Sequence, residues 1–157
     1  MTTIASNLRE MAGDTRVVLE GIGTDSYASV KIFVAKNAIY GIHGENVAGQ
    51  IHAIYWLQQG SLAENRPEPP KAADWHIMEL SPAGLAVYNT WLERDVLLNK
   101  YIAIGSGRKV AMYCMKILGM SPAEAVREAC RVDDFTDMPI YTVSLTDLAI
   151  KLWRPKK

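Results

Sequence analysis

The chain opens Met1-Thr2-Thr3-Ile4, and a small second residue is the pattern from which aminopeptidases remove an initiator methionine. With Thr2 as the mature terminus, one residue would hold both a hydroxyl nucleophile and a free α-amine. That amine titrates near pH ~8, so part of it is neutral in the cell and can take the hydroxyl proton. Two more groups follow. Ala12-Gly13-Asp14 comes at a spacing suited to one strand and a turn, and Lys31 stands in Val30-Lys31-Ile32, opposite the two aliphatic residues. Singly, Asp14 reads as a turn aspartate and Lys31 as a solvent-facing strand lysine. Together, Thr2, Asp14 and Lys31 supply a nucleophile, an orienting carboxylate and a cation that lowers a neighbour's pKa.

Other chemistry is less well supported. Gly105-Ser106-Gly107-Arg108-Lys109 lies between a strand and a helix, where a phosphate could be cradled, but it lacks either complete glycine-rich phosphate motif. His43, His52 and His76 show no metal spacing, since none has a second histidine four residues on. Cys114 and Cys130 form no CxxC pair and fall among Met112, Met115 and Val126 on apolar helix faces, which reads as core packing. Neither a metal nor a cofactor is expected.

These groups must be held by the elements around them. The apolar run from Arg16 to Ile22, the alternating residues Val30–Ala35 and the return from Ala38 to Ile42 read as strands, with Lys36-Asn37 as a turn. A helix is expected from Glu45 to Gln59, its apolar stripe made of Val47, Ile51, Ile54 and Tyr55. Residues 60–74, with Pro67, Pro69 and Pro70, read as a loop. Short strands follow at Trp75–Leu80, Gly84–Thr90, Trp91–Leu97 and Tyr101–Ile104. Two helices come next. The first runs from Arg108 to Leu118 and ends at Gly119; the second opens on Ser121-Pro122-Ala123-Glu124, a capping box with proline at the first helical position. Ile140–Leu145 reads as a strand and Thr146–Trp153 as a terminal helix. Strands and helices come in blocks rather than alternating, which points to α+β layers.

The 157 residues are enough for one domain, 1–157, with a full core. Seventeen Lys+Arg balance seventeen Asp+Glu, which argues against a protein that holds nucleic acid by a broad basic field. No apolar run approaches the ~20 residues that span a bilayer, and no charged-then-apolar leader opens the chain. Neither nucleic acid nor membrane is an expected partner, and cytoplasm is the expected compartment.

Taken in order, these segments resemble the proteasome-type N-terminal-nucleophile hydrolases, especially the bacterial HslV-type peptidase. The resemblance rests on Thr2-Thr3-Ile4, Ala12-Gly13-Asp14, Val30-Lys31-Ile32, Gly41 and Ala48-Gly49. Its longest match is Ile102-Ala103-Ile104-Gly105-Ser106-Gly107, followed by a helix, a Ser-x-x-Glu-capped helix and Ile140-Tyr141-Thr142. It implies a four-layer αββα sandwich and a threonine-type peptidase or amide hydrolase acting on protein or peptide. Thr2 would attack through its hydroxyl after loss of Met1, its α-amine shuttling the proton. Lys31 would lower the hydroxyl's pKa, Asp14 would hold Lys31, the Gly41 N–H would meet the oxyanion, and Ser106 would position the amine. Flanking glycines would let the backbone at Ser106 come close. Proteasome subunits also keep an Asp and, three residues on, a Ser near the nucleophile; Asp134 would take the first place and Asp137 stand in the second. The resemblance further implies a homo-oligomeric ring fed by an ATP-driven unfoldase. Two departures stand out: a proline-rich loop replaces the further helix that relatives carry after Gln59, and His43-Gly44-Glu45 replaces a run of small residues. Two other readings stay open, a proteolytically inactive proteasome-like assembly protein and an N-terminal-nucleophile amidase for a small molecule.

Overall fold

A computed structural model describes residues 2–18, 26–44, 47–68 and 75–155. In chain order its strands are β1 (Thr3–Asn7), β2 (Glu10–Asp14), β3 (Arg16–Val18), β4 (Ser26–Ala28), β5 (Ile32–Ala35) and β6 (Ala38–Gly44). After helix α1 (Val47–Gln58) come β7 (Trp75–Ser81), β8 (Gly84–Tyr88), β9 (Arg94–Leu97) and β10 (Tyr101–Gly105). Helices α2 (Arg108–Ile117) and α3 (Pro122–Cys130) precede β11 (Ile140–Ser144) and β12 (Lys151–Leu152).

Two antiparallel sheets form the centre, one ordered β10-β1-β2-β11-β12 and the other β5-β6-β7-β8-β9. Alternation along β1 explains how each is covered. Ile4 turns to the second sheet and joins Met11, Ile32, Ile39, Met78 and Leu80 in the layer between the sheets. Ala5 turns the other way and, with Ala12 and Ala103, offers a small-residue surface on which α2 and α3 lie through Ala111, Ala123, Ala125 and Val126. α1 covers the far face of the second sheet, over Tyr40, Ile42, Trp75, Ile77 and Tyr88. The layers are therefore α2/α3, sheet, sheet, α1: the four-layer αββα sandwich.

The capping box at α3 forms as the sequence predicts. Ser121 Oγ accepts from Glu124 N–H at 3.4 Å, and Glu124 Oε2 accepts from Ser121 N–H at 2.9 Å. Other expectations are corrected. The segment 146–153 is no helix: Asp147 Oδ1 accepts the Ala149 N–H, Leu148 has φ 51°, and the chain returns as β12 beside β11. Side-chain capture of backbone N–H groups competes with the helix there. The strand expected from Trp91 begins only at Arg94, because Asn89 Oδ1 takes the N–H groups of both Trp91 and Glu93 in a tight turn. α1 buries Gln50, Ala53, Ile54 and Trp56, while Tyr55 of the expected stripe stands 60% exposed. Of the run from Arg16 to Ile22, the structure describes β3, and residues 19–25 lie outside it; so do Glu45 and Asn46 at the expected helix start.

Candidate active site

Asp14 and Lys31 meet where β1 and β2 run together. Asp14 closes β2 opposite the start of β1, fully buried, and its Oδ1 accepts the Thr3 N–H at 2.7 Å. Its Oδ2 accepts the Arg16 N–H at 3.0 Å. Lys31 arrives from the other sheet, just before β5, and donates to both carboxylate oxygens at 3.2 and 3.1 Å and to the Arg16 carbonyl. Lys31 is itself only 6% exposed.

Burial is the larger influence on both charges. It pushes the Asp14 carboxyl above its ordinary value, opposed by the Lys31 charge and by the hydrogen bonds from Thr3, Lys31 and Arg16. It pulls the Lys31 ammonium below its ordinary value, opposed by Asp14. Removing water costs each ion separately, and only the pairing and the backbone donors offset that cost.

The same strand alternation separates the two threonines. Ile4 packs against Gly41 of the second sheet, so Thr3 points to the helix side. There its hydroxyl meets Thr136 Oγ1 at 2.7 Å and accepts the Gly107 N–H at 3.0 Å. Thr2, one residue earlier, is only 5% exposed. Its carbonyl accepts the Ser106 N–H at 2.9 Å, which extends the β1–β10 ladder by one step. Two glycines make this approach feasible. A Cβ on Gly105, whose φ is +97°, would lie 1.7 Å from the Thr2 carbonyl oxygen, and one on Gly107 would lie 2.4 Å from Thr3 Oγ1.

Two expected residues are corrected by this geometry. Asp134 is exposed, and its neighbour Asp133 makes the contact instead: Asp133 Oδ2 accepts from Ser106 Oγ at 2.6 Å and from Thr136 Oγ1. Asp133 and Thr136 keep the three-residue spacing and the hydroxyl that the pair Asp134 and Asp137 lacks, a signal the sequence carried one residue upstream. Gly41 lies inside β6, paired with Ile32 on one side and Met78 on the other. Ile42 N–H donates to Lys31 O at 2.9 Å, so even-numbered N–H groups of β6 face β5 and the Gly41 N–H faces β7. It is therefore turned into the sheet, away from Lys31. Gly44, at the end of β6 with φ +98°, turns its N–H to the Lys31 side, beyond the first residue of β5.

Among the described residues no group of three or more metal-ligating side chains occurs. Among those residues, too, no helix is long and apolar enough to cross a membrane.

Three solved structures share this arrangement of sheets and helices. The chain matches eukaryotic HslV from Trypanosoma brucei with a TM-score of 0.72 at 18% identity, over 90% of this chain and 98% of that one. The chain shares the fold of that HslV structure. BPH from Thiobacillus denitrificans matches at a TM-score of 0.61 and 16% identity, covering 99% of each chain. A Gly-1 mutant of Anbu from Hyphomicrobium sp. strain MC1 matches at 0.61 and 12% identity, over 96% of this chain and 85% of that one. Neither a family model nor a curated protein matches the chain. The likeness is one of HslV-type fold, carried by layers and strand order at low sequence identity.

Proposed function

We propose that the chain is a threonine-type peptidase of the cytoplasm, with Thr2 as its nucleophile once Met1 is removed. The observation that carries this reading is the buried Asp14–Lys31 pair, hydrogen-bonded to the residue next to Thr2 and reached from the opposite sheet. A buried ion pair is a poor source of stability in itself. Hydrogen-bonded to the N–H of the residue after Thr2, the pair has a chemical use in this reading.

The Thr2 hydroxyl attacks the scissile carbonyl and its proton passes to the α-amine. The Lys31 cation stabilises the forming alkoxide, and Asp14 holds Lys31 in place. The Gly44 N–H meets the oxyanion, a role in which one donor is worth roughly 3–4 kcal/mol of barrier. Ser106, bonded to Asp133, and Thr136, bonded to Thr3, position the Thr2 backbone and amine. The amine then protonates the departing amine of the substrate, and water hydrolyses the ester left on Thr2. The substrates are proteins or peptides, the assembly is a ring of identical subunits, and an ATP-driven unfoldase supplies the substrate.

Intact mass is the first test, with loss of Met1 expected; retained Met1 leaves Thr2 without a free amine and ends this mechanism. Turnover of short fluorogenic peptides is expected for the mature chain and is lost by about 10⁴-fold or more in Thr2→Ala. Equal turnover by the two would remove Thr2 from the role. Epoxomicin, held by the Thiobacillus protein in one of its structures, is a second probe. A one-to-one mass increase is expected on the mature chain and none on Thr2→Ala.

A further inference from the structure

The two flanks of the sandwich differ in shape. β5 packs over β2 and β11, whereas β9 runs directly into β10 through residues 98–100. β9 and β10 thus share one flank, and β5 borders the other. On the β9–β10 flank the chain projects an apolar knob. Leu98 is 99% exposed, and Val96 on β9 is 59% exposed. An edge strand with such side chains is normally blunted by charge or covered by a partner.

The β5 flank carries a groove of about 310 Å³ between β5, α1 and the segment leading to β12. It is lined by Phe33, Ile51, Ile54, Tyr55, Leu148 and Ile150. That volume sits at the small end of the roughly 300–1,000 Å³ of ligand pockets, and the lining lacks the convergent charged groups that orient a small molecule. It suits an aliphatic side chain. The rims are also complementary: Lys36 rests its ammonium on the Gln58 carbonyl at the groove, and Asp95 stands exposed beside Val96 on the knob.

We infer that Leu98 and Val96 of one subunit enter the β5–α1 groove of the next. The occupant is a second copy of this chain, and the inference rests on the ring assembly proposed above. Knob and groove are different patches on opposite flanks, so the contact is heterologous, and repeated by a closing rotation it makes a ring rather than a two-fold dimer.

Sedimentation of the full chain tests the contact. Wild type is expected well above the 17.4 kDa of one chain, and Leu98→Glu and Tyr55→Glu are each expected as monomers. An equimolar mixture of the two variants at high concentration is expected to give dimers and nothing larger. Each variant keeps one intact half, so a single contact forms and the series stops. Monomeric wild type, a variant of wild-type mass, or a mixture that stays monomeric would each overturn the contact. Should a variant lose its far-UV circular dichroism, the double variant Leu98→Cys/Tyr55→Cys decides instead: oxidation should give a ladder of covalent multimers, and its absence counts against the contact. None of these readouts involves Thr2. A monomeric chain that cleaves peptide overturns the contact alone, and a ring without turnover overturns the peptidase reading alone.

Discussion

Two buried carboxylates, one in each sheet, are held in opposite ways. Asp14 takes its partners from separate segments: Thr3 on β1, Arg16 on β3 and Lys31 from the edge of the other sheet. Glu79 on β7 takes its partners from the next two strands of its own meander. Tyr88 OH donates to Oε2 at 2.6 Å and Arg94 donates to Oε1 at 2.9 Å. Arg94 is 40% exposed, so water shares its charge, whereas Lys31 is buried with its acid. A local network on one sheet can be built by neighbouring strands whatever the rest of the chain does. The Asp14 network exists only when two sheets, the chain start and β3 have all come together.

Cutting the cation from each pair should separate the two most widely. Lys31→Met leaves Asp14 buried without its counter-charge, and a loss of about 3–5 kcal/mol is expected, together with loss of turnover. Arg94→Met removes a partly solvated partner and should cost about 1 kcal/mol or less, with turnover kept. Urea denaturation measures both; equal losses would erase the distinction.

A smaller effect separates hydroxyls. Thr136→Val removes the group that links Thr3 to Asp133, and about 1.5–3 kcal/mol is expected, as for hydrogen bonds to charged groups. Tyr88→Phe removes the corresponding donor to Glu79 at similar cost. Only Thr136→Val should also lower kcat. A kcat equally lowered in Tyr88→Phe would show that the outer sheet face serves the site as well.

A further effect is on pH dependence. Burial, helped by Asp14 and then Asp137, pushes the Cys130 thiol up to about 12, and burial with Glu79 pushes the Tyr40 phenol up to about 12. Both groups keep in the folded state a proton that the unfolded chain releases near pH ~9 and ~10. Their contribution is thus complete below pH ~9 and fades as pH rises toward 12. The urea midpoint should fall across that window, and Cys130→Ala should flatten the fall at the Asp14 end while leaving the Tyr40 part. A midpoint that rises from pH 9 to 11 would contradict both shifts.

Much of the site was legible before any folding was considered. Asp14 pairs with Lys31 beside the Thr3 N–H, Ser106 meets the Thr2 carbonyl, and the Gly-Ser-Gly spacing is required by the approach of the Thr2 and Thr3 chain. Asp134 and Gly41 were the misplacements, and both have a physical origin. Residues 131–139 form a loop without periodicity, so nothing in the sequence marks which of two adjacent aspartates turns inward. Gly41 and Gly44 lie on one strand, and only ladder parity says which N–H leaves the sheet.

The sequence by itself determined what depends on near neighbours. These features are the capping box at Ser121, the alternation of β1 and β2, the glycines around Ser106, and a second residue small enough to become a terminus. Such features follow from backbone sterics, side-chain period and local hydrogen bonds, which act over a few residues. Tertiary structure alone decided that Lys31 crosses to Asp14, that Asp133 rather than Asp134 meets Ser106, and that Thr3 is committed to Thr136 while the Thr2 carbonyl meets the Ser106 N–H. Those outcomes depend on which strand edge lies over which, and that is settled by how two apolar sheet faces pack on each other.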